Sequence, residues 1–94
     1  MDVAVDPRRL QLIREVIQSN AEGAIKAHDI RTRQSGRFTF IDFHLVVAGT
    51  MSVADAHEIC DRIEARLRDR VEDAQITIHV EPEQKAKHSG IVVV

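Results

Sequence analysis

The 94 residues predict an α+β sandwich, in which two helices cover one face of a three-stranded sheet in the order α-β-β-α-β. Three observations point there. Apolar residues recur at helical spacing near the N-terminus and again beyond residue 52, which marks two amphipathic helices. Three other stretches alternate apolar and polar side chains, which marks strands with one buried face. The residues between these segments are Gly, Asn, Ser and Pro, the types that cap helices and turn chains. A sheet of this kind needs cover on one face, and two helices supply it.

The first helix begins in "DPRRLQLIREVIQSN", where Asp6 is placed to cap and Pro7 suits the first helical position. Leu10, Ile13, Val16 and Ile17 form its apolar stripe, and Asn20 and Gly23 end it. Two extended segments follow, about 24–33 and 37–47, joined by "QSGR", in which Gly36 is free to take a positive φ. In the second, Ile41, Phe43, Leu45 and Val47 share the core face, and Phe40, Asp42, His44 and Val46 share the other. The second helix starts in "GTMSVADAH", with Ser52 and Asp55 at capping-box spacing. Its stripe is Val53, Ala56, Ile59, Cys60, Ile63 and Leu67, and Arg62, Arg66, Arg68 and Asp69 form a solvated outer face. In the last strand, "AQITIHVEP", Ile76, Ile78 and Val80 face inward, Gln75, Thr77, His79 and Glu81 face outward, and Pro82 ends it. This is a ferredoxin-like order lacking its first strand. The chain reads as one domain, 1–94, with a core of about 6–82 and a tail of 83–94, "EQKAKHSGIVVV" at its end, that fits either disorder or a short docked strand.

Bulk properties exclude several function classes. Thirteen basic and 15 acidic side chains leave a formal net charge of -2, which gives no field to attract nucleic acid or an anionic membrane. "IRTRQSGRF" holds three Arg, but its few aromatics cannot stack a run of bases, so RNA is not expected. The single cysteine, Cys60, allows no intrachain disulfide and fits a cytosolic setting as a small buried hydrophobe. No run of 18 apolar residues offers a bilayer span, and "MDVAVDPRRL" is no secretory signal. No enzyme is expected: Ser35, Ser52 and Ser89 lack a nucleophile context, and His57 and Cys60 lack an orienting third group.

The open face of the sheet is where chemistry could gather. Asp42 and His44 lie at i, i+2 on one strand, and His79 and Glu81 at i, i+2 on another, each pair about 7 Å apart along the chain. His28 enters the first strand and is able to join them. His57 sits at the edge of the second helix's apolar stripe, with Asp61 and Glu64 on the same side. Imidazole and carboxylate are the donors that zinc and similar divalent ions take when no thiolate set exists. The same residues also suit a plain polar surface or a polar dimer contact, because an uncovered sheet face must carry polar side chains.

The stretch "AHDIRTRQSGRFTFIDFHL" resembles the cytoplasmic C-terminal domain of the cation diffusion facilitator family, the divalent-metal/proton antiporters. Family members carry an "HDLRTRQSG" type of hairpin, an aliphatic-His-Leu step in the second strand, an "xAHxxxDxxE" helix and an "IxIHxxP" strand. "HDIRTRQSG", "FHL", "DAHEICDRIE" and "ITIHVEP" stand here in that order, from about Asp6 to Pro82. The resemblance implies a metallochaperone-like fold, a V-shaped homodimer and zinc near the dimer interface. Its ligand positions fall on His28, His44, His57 and His79, with His57 serving the neighbouring subunit. The family's bridging acid falls on Glu81, where Asp is common, and Glu is one methylene longer. Asp42, Cys60 and His88 have no counterpart.

The family's transport resides in six membrane helices absent from these residues, so the chain alone moves no ion. With its own Met1 it reads as a stand-alone version of the domain, an excised piece of a transporter being the other reading. The expected function is a cytosolic (or membrane-facing cytosolic) homodimer that binds zinc to sense or buffer it, alone or on a transporter's membrane domain. Cadmium, nickel, cobalt, manganese and iron are further ions that the donors suit. The alternative is a homodimerisation or protein-interaction module that needs no metal.

Overall fold

A computed structural model describes residues 2–84. The elements run β1 (Asp2–Val3), α1 (Pro7–Ser19), β2 (Lys26–Ser35), β3 (Phe38–Val47), α2 (Val53–Arg70) and β4 (Ala74–Pro82). They form one sheet in the order β1-β2-β3-β4, antiparallel except for the parallel pairing of β3 with β4. The two helices and three main strands are those expected. The two-residue β1, which pairs Asp2 with Ser35 and Val3 with Gln34, is an addition that periodicity cannot reveal in so short a stretch. Among the described residues no helix is long and apolar enough to cross a membrane. Most of the tail, including His88, lies outside the described residues.

The caps are where the sequence puts them. The Asp6 carboxylate accepts from the Arg8 backbone N–H at 2.8 Å, with Pro7 following. Ser52 Oγ accepts from the Asp55 N–H at 3.0 Å. Gly23 takes a φ of 99°, which favours glycine for the turn, and a Cβ there would press on Ile59 Cδ1 of α2 at 3.1 Å. Gly36, with φ of 58°, turns the β2–β3 hairpin, and a Cβ there would meet no atom within 4 Å, so only its backbone conformation calls for glycine. Arg62, expected on a solvated face, instead donates to the backbone carbonyls of Asn20 (2.9 Å) and Glu22 and pins α2 to the α1–β2 loop.

Both helices lie on one face of the sheet. Ile13, Val16 and Ile17 of α1 and Ile59, Cys60, Ile63 and Leu67 of α2 pack with Ile41, Phe43, Leu45 and Val47 of β3 in one core. Three side chains depart from the expected pattern. Val53 is 84% exposed, because as the first residue of α2 it projects beyond the sheet. Val80 is 45% exposed, because β4 is an edge strand with one neighbour and its end outruns the helical cover. Val46, on the open face, is fully buried, flanked in register by Lys26 and Glu81.

Candidate metal centre

The site is built from register. His28 of β2 pairs with His44 of β3, and His44 pairs with His79 of β4. Neighbouring strands lie about 4.8 Å apart, so three histidines on one row bring their rings into contact. The ring centroids are 5.4 Å apart for His28–His44 and 5.1 Å for His44–His79, both tilted. A β-bulge sits beside this row. The register shifts between His28 and Arg31, so Asp29 and Ile30 lie opposite Phe43 alone. The shift returns β2 to register beyond it, with Arg31 against Asp42.

Glu81 is the next residue of β4 on the same face. Its longer side chain reaches back across β3. His28 Nε2 donates to Oε1 at 3.0 Å, and His44 Nδ1 stands 3.4 Å from Oε2. The Glu81 side chain is 15% exposed, against 37% for His28 and 33% for His44. The hydrogen bond from His28 first, and that from His44 after it, hold the Glu81 carboxyl below the usual carboxylate range, although burial opposes this. Glu81 is therefore an anion at neutral pH. One donor atom from each of His28, His44 and Glu81 lies within 4.8 Å of the others.

The sequence-derived candidates thus separate. His28, His44 and Glu81 converge. His79 stacks beside His44 but is exposed and outside that group. His57 lies on α2, across the sheet from the row, 73% exposed, with Nε2 3.8 Å from Asp61. Asp42 lies level with Arg31 and Thr77 and lines a shallow cleft with Arg31 and Arg33 instead. Asp29 was not anticipated. Its carboxylate stands 3.6 Å from His44 Nε2, because its left-handed backbone (φ 55°) turns it to the histidine face. An Asp directly after a His, one of the few side chains tolerated at positive φ, was the available signal.

Two imidazoles and an ionised carboxylate, on rigid strands and half open to solvent, form a donor set that suits zinc and other borderline divalent ions. Three protein donors leave a fourth tetrahedral position open.

Residues 5–83 match the family model of the cation efflux protein cytoplasmic domain. The chain belongs to that family, the cytoplasmic C-terminal domains of the cation diffusion facilitators, which are parts of transporters rather than enzymes, and the domain is cytoplasmic accordingly. A transporter of Synechocystis, sll1263, is 32% identical over 87 residues, covering 93% of this chain and 28% of its own length. The cation-efflux pump FieF of Shewanella oneidensis is 46% identical over 57 residues, 61% of this chain and 19% of the pump. The chain thus spans about a quarter of these curated relatives. Among solved structures, CzrB in its Zn form superposes with a TM-score of 0.80 at 41% identity, over 90% of this chain and 97% of that one. The metal-bound C-terminal domain of the CzcD transporter from Thermotoga maritima gives 0.67 at 32%, over 83% and 94%.

Proposed function

We propose that the protein is a divalent-cation-binding, homodimerising regulatory domain, with zinc as its first candidate ion. The observation that carries the reading is the convergence of His28, His44 and Glu81 within 4.8 Å. Glu81 supplies the negative charge, and the two imidazoles, in their neutral forms, supply nitrogen lone pairs. The strands hold all three before any ion arrives, which lowers the ordering cost of binding. His79 beside His44, and His57 of a second subunit, are the donors able to complete the set. The Zn form of CzrB and the metal-bound domain of CzcD support this reading.

A site completed by a second subunit couples occupancy to dimer geometry. If the closed dimer binds the ion more tightly than the open one, the population shifts by that difference in affinity, about 1.4 kcal/mol for each factor of ten. On a transporter's membrane domain this would bias transport, and in a free domain it would buffer or report the ion. The test is calorimetry with zinc on the wild type beside a His28→Ala/His44→Ala variant. Uptake by the wild type and its loss in the variant are expected; equal uptake by both overturns the reading.

One observation favours a module that needs no metal: Glu81 already pairs with both His28 and His44. A wild type that dimerises and binds no zinc would decide for it.

A further inference from the structure

Asp29 is a charged residue set within the β2 bulge, with its backbone in the left-handed region. A strand residue following His28 should point to the helical face. The bulge and the φ of 55° bring the Asp29 carboxylate to the histidine face instead. There it meets two groups. Oδ2 lies 3.6 Å from His44 Nε2 and 3.3 Å from Arg31 Nη2. The Arg31 pair is exposed and contributes little to stability.

His44 is thereby flanked on both nitrogens. Nδ1 faces Glu81 at 3.4 Å, on the side where His28 also converges, and Nε2 faces Asp29. An imidazole that ligates through one nitrogen carries its proton on the other, and a carboxylate at that second nitrogen fixes both the tautomer and the ring orientation. We propose that Asp29 is the positioning residue of this centre: from its bulge it takes the Nε2–H of His44 and so leaves the Nδ1 lone pair facing Glu81 and His28, where the cation binds. The 3.6 Å separation is ion-pair reach, and it has to shorten to a hydrogen bond when the cation is bound. The ring thus has a carboxylate at each nitrogen; ligation through Nδ1 requires the ring proton to sit on Nε2, where Asp29 is the carboxylate placed to accept its hydrogen bond. The inference rests on the proposed function above.

Two variants test it without disturbing the bulge, since Gly and Asn are the residues best suited to positive φ. Asp29→Gly removes the acceptor, and Asp29→Asn keeps an acceptor oxygen without the charge. Circular dichroism of the metal-free proteins should match the wild type. Zinc affinity should fall about tenfold or more in Asp29→Gly, in line with the loss of such carboxylate partners at other metal sites, and by less in Asp29→Asn. Ring-nitrogen NMR of the zinc-loaded wild type should show His44 ligated through Nδ1 with a proton on Nε2. Ligation of His44 through Nε2, or wild-type zinc affinity in a folded Asp29→Gly, overturns the proposal. If Asp29→Gly fails to fold, Asp29→Asn and the ring-nitrogen assignment decide it. His28→Ala separates the two readings: loss of zinc there beside unchanged affinity in Asp29→Gly defeats only the role of Asp29. A wild type that takes up no zinc defeats both.

Discussion

At the scale of single residues, Glu81 carries the most physical weight. It lies mostly buried and reaches His28 on a strand that is not its neighbour in the sheet. Its folded pKa is lowered, mainly by the hydrogen bond from His28. The sign of the consequence follows from linkage. A carboxyl whose folded pKa lies below its unfolded value of about 4.3 stabilises the fold fully above that value. The contribution drains away as pH falls from there through the lower folded pKa. Urea unfolding of the metal-free protein should therefore show a loss of stability below about pH 4.3 that is smaller in Glu81→Gln. At pH 7 the substitution should cost about 1.5–3 kcal/mol, the scale of hydrogen bonds to a charged group. Parallel acid profiles for the two proteins would contradict the lowered pKa.

At the scale of elements, α2 shows how far a periodic stripe can be trusted. Val53 and Ile63 both lie on its apolar stripe, yet Ile63 is fully buried and Val53 stands out in solvent. Removing Ile63 leaves a cavity between helix and sheet, whereas removing Val53 leaves water. Ile63→Ala should cost about 2–5 kcal/mol, and Val53→Ala should stay within about 0.5 kcal/mol of the wild type, both read from denaturant midpoints. Comparable losses in the two variants would mean that the first turn of α2 is covered in solution. The open, half-polar face of the sheet matters in the same way. It leaves the His28 and His44 side chains about one-third exposed, within reach of a cation in solution.

At the scale of the whole molecule, the question is what the row of histidines meets. His57 lies across the sheet from His28, His44 and Glu81, so a contribution from it to that site would come from a second copy. Light scattering is expected to give a metal-free homodimer at about tens of micromolar, a working range for moderate interfaces. His57→Ala should leave that dimer intact and weaken zinc binding by about tenfold. Unchanged affinity in His57→Ala would confine the donors to one subunit, and a stable monomer in the absence of metal would refute constitutive dimerisation.

The sequence by itself determined the elements and their faces. Period 3.6 in α1 and α2, period 2 in β3 and β4, and the caps at Asp6 and Ser52 are local properties, written in residues a few positions apart. The parity of His44, and that of His79 and Glu81, placed them on the face away from the helices for the same reason. The tertiary structure alone decided which of these groups meet. It set β4 beside β3 in parallel, put His28 level with His44, and let Glu81 cross β3 to reach His28 while His79, one step earlier on the strand, stayed outside. It also turned Asp29 through the bulge, buried Val46 and exposed Val53 and Val80. Strand order, register and bulges are fixed by packing between residues far apart in the chain. A pattern of period 2 records which face a side chain takes and carries no information about the strand that will lie beside it.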